Sequence, residues 1–344
     1  MAPSPPVPDG KRPTLADVAA RAGVSTALVS IVMRGVKGAS DATRERVLEA
    51  ARDIGYRPDT RARLLRSNRS RLLGVQFGLQ HPFHADLVEG IYAAAEPAGY
   101  QVALSAVAPS RSEQHAVDAL LGDRCEALIL LGPQAAAARL KALADQLPVV
   151  CVARRLQAPS GNVDVVRTAD DEGARQAVDH LVALGHRDIA HIDGGKAPGA
   201  ADRRRGYRTA MKRHGLDHHI RVLPGGLTEE DGAAAASRLL GSQHRPTAVL
   251  AFNDHAATGV LDTLLRSGVT VPEEISVVGF DDTRLASLAH VNLTTVRQDA
   301  TSLTEHAVTR AIARLEGKRS PDRDTIVPPH LIVRATTAAA PLPS

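Results

Sequence analysis

The chain has 344 residues, enough for two or three domains and a sizeable core. It is 44% hydrophobic and 23% charged with no uninterrupted apolar run of 18 residues, so a globular protein without a membrane span or membrane partner is expected. Cys125 and Cys151 are too few for a disulfide framework, and the opening MAPSPPVPDGKRP lacks the apolar core of a secretory signal, so a cytoplasmic setting is expected. The formal charge of +4 is unevenly spread: residues 1–71 carry 14 Lys and Arg against seven Asp and Glu, and the remainder 28 against 31. A basic head on a mildly acidic body suggests that the head alone meets a polyanion.

Residues 1–11 belong to a Pro-rich stretch without periodicity, expected to be a disordered tail. From 12 to 57 the pattern is helical. Thr14 can cap a helix with Asp17 three residues on, beside apolar Leu15, Val18 and Ala19, and Gly23 suits the turn that ends it. Ser25 is a good N-cap for a second helix carrying Leu28, Val29, Val32 and Met33. Ser40 starts a third, with Val47, Leu48, Ala51 and Ile54 on one face and Gly55 beyond its end. Three short helices with a Gly turn between the first two fit a helix-turn-helix DNA-binding domain. Residues 58–71 form a linker in which Pro58 stops the preceding helix, and Asp59–Arg66 is too short a helix to be stable alone in water.

Beyond residue 71, short runs such as LLGVQF, EALILL, PVVCV, DIAHID, TAVLAF and ISVVGF alternate with longer amphipathic stretches. Near-continuous apolar strands between helices predict parallel sheets covered on both faces, here two doubly wound α/β lobes. Ligands in such sheets bind outside the carboxyl ends of the strands, which is where the polar residues of this chain gather. No strand–GxGxxG–helix, no P-loop and no GxSxG occurs, and the histidines show no paired ligand spacing. Neither an enzyme, a cofactor nor a metal site is expected.

TLADVAARAGVS, then TALVSIVMRG, TRERVLEAARDIGYRPD and RARLLRS, resembles the lactose-repressor (LacI/GalR) family of bacterial transcription regulators. In the body, HLVALGHRDIAHIDGG, RRRGYRTAM, AVLAFNDHAATGVL, VPEEISVVGFDD and LTTVRQD follow the same family in order, so the match spans roughly residues 12–335. The resemblance implies a helix-turn-helix head, a hinge helix, and a two-lobed core like a periplasmic binding protein. The lobes are expected at 72–168 with 297–323, and at 169–296 with 324–337. It also implies a homodimer on double-stranded, pseudo-palindromic operator DNA and a small-molecule effector, most often a sugar.

The resemblance places the reading helix at Ser25, with Thr26, Ala27 and Ile31 toward base edges and Thr14, Ser30 and Arg34 also in the DNA-binding set. Thr26 is expected to supply the main polar base contact and Arg34 to meet phosphates. Ala27 and Ile31 cannot fork onto a purine but can pack on thymine methyl groups, unless Ile31 belongs to the head's own core. Ala62 and Leu65 match hinge positions where two helices pack and a leucine wedges a base step, with Arg61, Arg63 and Arg66 on phosphates, the alternative being a plain basic linker.

For the effector, the resemblance carries over Phe83 as an aromatic wall, Arg203 as the ligand-binding arginine, and Asn253, Asp254, Asp281 and Gln298 around the cleft. Arg203 could instead be one of a surface run, and Asp254 a helix-starting residue favoured by the dipole. The family often has Asp-Arg after the fourth strand; here Ala153-Arg154 removes the acid, and Arg154 is expected to reach the ligand instead. The function expected is a repressor released by a carbohydrate inducer. The alternatives are a co-repressor-dependent regulator sensing a nucleobase or other non-sugar metabolite, and, more remotely, a sugar-binding protein without a DNA role, which the basic head disfavours. No apolar heptad follows the core, so a dimer rather than a tetramer is expected.

Overall fold

The computed structural model describes residues 13–33, 35–56, 69–156, 163–318 and 322–342. Arg34, the tail expected over 1–11, and the hinge positions Arg61, Ala62, Arg63, Leu65 and Arg66 lie outside the described residues. The chain divides into two compact units, Met1–Ser70 and Arg71–Ser344.

The first unit contains α1 (Leu15–Ala22), α2 (Thr26–Met33) and α3 (Asp41–Asp53). Its helix starts are those the side chains dictate. Thr14 and Asp17 form a reciprocal capping box, the Thr14 amide donating to Asp17 Oδ2 at 2.7 Å. Ser25 Oγ accepts from the Leu28 amide at 3.2 Å, and Ser40 Oγ from the Thr43 amide at 3.3 Å. Gly23, at φ +65°, closes α1 in the left-handed conformation that costs glycine nothing. Val18, Val29, Val32, Val47 and Ala51 form the core. Leu48 departs from expectation and is 41% exposed, because the helical period turns Ala50 inward with Val47 and Ala51 and leaves Leu48 outside.

The second unit holds two six-stranded sheets of the same design. The first lobe runs β1 (Leu72–Gly78), α4 (Phe83–Ala95), β2 (Gln101–Val107), α5 (Glu113–Gly122), β3 (Ala127–Leu131), α6 (Ala137–Ala144), β4 (Val149–Val152) and β5 (Val163–Thr168). The second runs α7 (Asp170–Ala183), β6 (Ile189–Asp193), α8 (Ala200–Arg213), β7 (Arg221–Pro224), α9 (Glu229–Leu240), β8 (Ala248–Ala251), α10 (Asp254–Arg266), β9 (Ser276–Asp281) and β10 (Thr294–Arg297). The chain then returns as α11 (Ala300–Leu315) and β11 (Asp324–Val327) before β12 (His330–Ile332). Strand orders are β2-β1-β3-β4-β5-β11 and β7-β6-β8-β9-β10-β12, all parallel except β12, which runs antiparallel to β10. Each lobe thus has the doubly wound arrangement whose switch point, beside its first strand, is the natural ligand crevice.

β3 shows why these strands read as unbroken apolar runs. Ala127, Ile129 and Leu131 point into the core under α4 and α11, whereas Leu128 and Leu130 point into the core shared with α5 and α6. Burying each such leucine or isoleucine contributes about 1.5–3 kcal/mol, and both faces must be covered to gain it.

One expected boundary moves. The second lobe was expected to resume at residue 324, but Asp324–Val327 pairs with β5 of the first lobe, Asp324 opposite Val165. Arg167 forks onto the Asp324 carboxylate at 2.8–3.1 Å, and Val327 is buried in the first-lobe core, so the crossing comes after this strand.

Candidate functional site

Helix α2 is split along its length. Val29 and Val32 are buried in the head's core, while Ser25, Thr26 and Ala27 are exposed and Ser30 is half-buried. Ile31 is also half-buried and lies over Gly38, where an added Cβ would come within 3.3 Å of its Cγ2. It therefore shares the core and outer faces, between the two expectations. Thr14 is exposed and committed to capping α1.

In the core, the loops at the strand carboxyl ends of the two lobes face one another. Arg203, on the first turn of α8, is only 5% exposed. Its Nε donates to Asp170 Oδ1 at 2.8 Å, Nη1 to the Phe252 carbonyl at 2.7 Å, and Nη2 to Asp281 Oδ1 at 3.2 Å. The guanidinium lies over Phe280 at 3.6 Å from the ring centre and over Phe252 at 4.6 Å. Gln298 donates to Asp281 Oδ1 at 2.7 Å and accepts from Thr168 Oγ1 at 2.7 Å, joining two of the chain's crossings between lobes. Asp281, at φ +109°, holds a strained backbone at the end of β9.

Asp254 is completely buried and accepts from the Thr283 amide at 2.7 Å and from Thr295 Oγ1 at 2.5 Å. Burial, reinforced by the charge of Asp281, pushes its carboxyl up to about 8. Burial likewise raises Asp281, against the pull of Arg203. Asn253 caps α10 through the Ala256 amide at 2.8 Å and donates to the Leu227 carbonyl at 3.0 Å. Arg203, Asp281 and Gln298 thus form one connected network, with Asp254 and Asn253 beside it.

Phe83 is the first residue of α4, 7% exposed and packed into the first-lobe core. The helix starts directly after Pro82, whose fixed φ suits a helix opening, and this turns Phe83 inward. Beside it His81 and His84 stack at 4.5 Å. His84 Nδ1 accepts from the Gly78 amide at 2.9 Å, and burial lowers its pKa to about 3. His81 is lowered by burial and by the nearby Arg203 charge, so both rings are neutral.

A cavity of about 870 Å³ opens between the lobes, lined by Arg154, Arg155, Lys196, Pro198, Asp202 and Arg205 among others. Ala153 at φ +57° turns the chain after β4, and Arg154 Nη1 donates to the Pro133 and Ala135 carbonyls at 2.5 and 2.7 Å. Opposite, Gly132 abuts the second lobe so closely that an added Cβ would meet Pro198 Cγ at 2.7 Å. Arg155 reaches across to Asp171 and Asp202 at 3.9 and 3.8 Å, which ties the first lobe to the second at the cavity rim.

Residues 14–59 match the family described as bacterial regulatory proteins, lacI family, and residues 178–337 match a periplasmic binding protein-like domain. The transcriptional repressor CytR of Escherichia coli (strain K12) is 31% identical over 336 residues, which are 95% of this chain and 97% of CytR. The chain belongs to the LacI family of transcription regulators. Among solved structures, a LacI transcriptional regulator from Rhodococcus species is 55% identical with a TM-score of 0.75, covering 78% of this chain and 99% of that one. The Lac repressor dimer bound to operator and the anti-inducer ONPF is 31% identical with a TM-score of 0.82, covering 96% of this chain and all of that one.

The LacI family is one of DNA-binding regulators rather than enzymes, and this member carries its helix-turn-helix head and two-lobed core. Three features of its cleft were not singled out in the sequence. Asp170 opens α7 just past the end of β5, Lys196 follows the end of β6, and Arg155 follows Arg154. All three sit where the strand-end rule points, so that rule applied to every strand signals them in the sequence.

Proposed function

We propose that this LacI-family protein is a homodimeric repressor that leaves its operator DNA when a small-molecule inducer, a carbohydrate, binds between the lobes. The observation that carries this reading is the cavity between the strand ends, lined by side chains able to donate and accept hydrogen bonds, on a chain that also bears a basic helix-turn-helix head. Thr26 makes the polar base contact, with Ala27 and Ile31 on thymine methyls, Ser25, Ser30, Thr14 and Arg34 at the backbone, and Arg63 on hinge phosphates. Ala62 packs paired hinge segments and Leu65 wedges a base step in the minor groove. The protein acts in the cytoplasm, at the nucleoid.

Closure of the lobes on the inducer changes the spacing of the two hinge segments and so their pairing on DNA. The inducer shifts this equilibrium only through its differential affinity for the two states, typically worth about 1–3 kcal/mol. Arg203, Asp281 and Gln298 hold the floor of the cleft in register, and the Arg155 contacts with Asp171 and Asp202 are the rim pairs that closure makes or breaks.

The test is operator binding to promoter fragments beside the protein's own gene, with and without a panel of sugars. Specific binding released by one sugar supports the reading; specific binding strengthened by a ligand makes it a co-repressor-dependent regulator; no specific binding overturns it. If the seven excess positive charges of the head and hinge meet phosphates, log K falls with log salt at a slope of about −6.

A further inference from the structure

The interior of the cleft and its mouth differ in what they leave for a ligand. Inside, every guanidinium nitrogen of Arg203 donates to a protein acceptor, and Asp254, Asp281 and Gln298 are bonded to protein partners. At the mouth, Arg154, Arg155, Lys196 and Arg205 line the same cavity, against Asp202 and Asp324 alone among the described residues. Asp324 is already held by the Arg167 fork. Asp202 is shared between Arg155 and Arg205. Arg154 has carbonyl partners but no carboxylate among the described residues, and Lys196 has no ion-pair partner among them. The cavity lining includes none of the chain's phenylalanines or tyrosines, so a neutral sugar finds no ring to stack on.

We propose that the effector is an anion, a polyol bearing a phosphate or carboxylate, whose oxyanion is held by Arg154 and Lys196 at the cleft mouth. The inference rests on the cleft being the effector site. A neutral ligand would leave two cations uncompensated beside it, whereas an oxyanion completes their charge and takes the donors that Arg154 still has to offer. The cavity of about 870 Å³ is large enough for a phosphorylated or acidic monosaccharide. The position left by Ala153, with no acid to repel such a group, fits the same ligand.

The experiment uses the full-length protein and its Lys196→Glu variant, titrated with sodium phosphate, sodium glucuronate and glucose, each against sodium chloride at matched ionic strength. Thermal stabilisation is the readout. The basic head responds to phosphate equally in both proteins, so the difference between them carries the result. Phosphate or glucuronate is expected to raise the unfolding temperature of the wild type above the chloride control. Reversing the charge should weaken that binding about tenfold or more, the size of a lost charge-assisted hydrogen bond. Stronger response to phosphate assigns a phosphorylated ligand, and to glucuronate an acidic one. An Arg154→Gln variant should show the same loss; Lys196 is exposed, so its substitution leaves folding intact.

Stabilisation of wild type and variants alike, no stabilisation by either anion, or equal stabilisation by glucose overturns the proposal. Operator binding measured on the same samples separates the two levels. Intact operator binding with no anion effect sinks only the ligand class, whereas absent operator binding sinks the regulator reading.

Discussion

Arg203 and Arg205 stand two residues apart on α8, and the helix puts them in opposite surroundings. Arg203 is 6% exposed at its side chain and held by Asp170 and Asp281; Arg205 is 45% exposed and pairs with Asp171 at 2.9 Å and with Asp202. Two steps of 100° carry one residue to the cleft floor and the other to its rim. The same guanidinium is therefore a fixed strut in one place and an adaptable surface charge in the other. Burial, not residue type, decides which arginines set the shape of the cleft and which tune what enters it.

The largest effect that tests this contrast is removal of the strut. Arg203→Ala leaves Asp170 and Asp281 facing one another without a cation, and breaking a buried pair in this way costs about 3–5 kcal/mol. Urea unfolding at neutral pH should show that loss. A change under 1 kcal/mol would mean that the two aspartates are neutral or relaxed and that Arg203 is free to serve the ligand alone.

Next comes the pH profile. The carboxyl of Asp254 is raised from 3.8 to about 8 in the folded chain. The native state then holds a proton that the unfolded state gives up, so the stability this group contributes is full below about pH 4 and is lost as pH rises toward about 8. Asp254→Asn keeps a neutral group that can donate to Thr295 Oγ1 and accept from the Thr283 amide. Its unfolding temperature should fall less than the wild type's between pH 5 and 8. Parallel profiles would show that Asp254 is ionised throughout.

Much of this architecture is legible in the amino-acid sequence. Alternation of unbroken apolar runs with helices gave both lobes, because strands covered on two faces admit no polar positions. Caps at Thr14, Ser25 and Ser40 gave the head, because a side-chain oxygen there has a local partner three residues on. The features without a sequence signal are those set by distant contacts. Asp324–Val327 stays in the first lobe through Arg167, 157 residues away in sequence, which no local pattern signals. The pairing of Gln298 with Thr168 and Asp281 needs both crossings folded before it exists.

Arg205→Ala should have a far smaller effect than Arg203→Ala. An exposed pair of this kind is worth about 0.2–1 kcal/mol and weakens with salt, so the unfolding temperatures of variant and wild type should converge above about 0.5 M sodium chloride. A salt-independent loss would place Arg205 with the struts.

The smallest effect is expected at Ala153, where the rim departs from the familiar pattern. Its φ of +57° is a left-handed conformation that costs a residue with a Cβ about 1–2 kcal/mol, so Ala153→Gly relieves strain. Two terms oppose the gain. Glycine loses about 0.5–1 kcal/mol more conformational freedom on folding, and the Ala153 methyl packs against the first-lobe core, worth up to about 0.8 kcal/mol. The sum is near zero, and the unfolding midpoint should move by less than a degree or two. A clear stabilisation would show strain held at the cleft mouth in order to aim Arg154 at the Pro133 and Ala135 carbonyls, making the rim a built site. A clear loss would show that the methyl contact outweighs the turn, and that Arg154 takes its direction from the core beneath it.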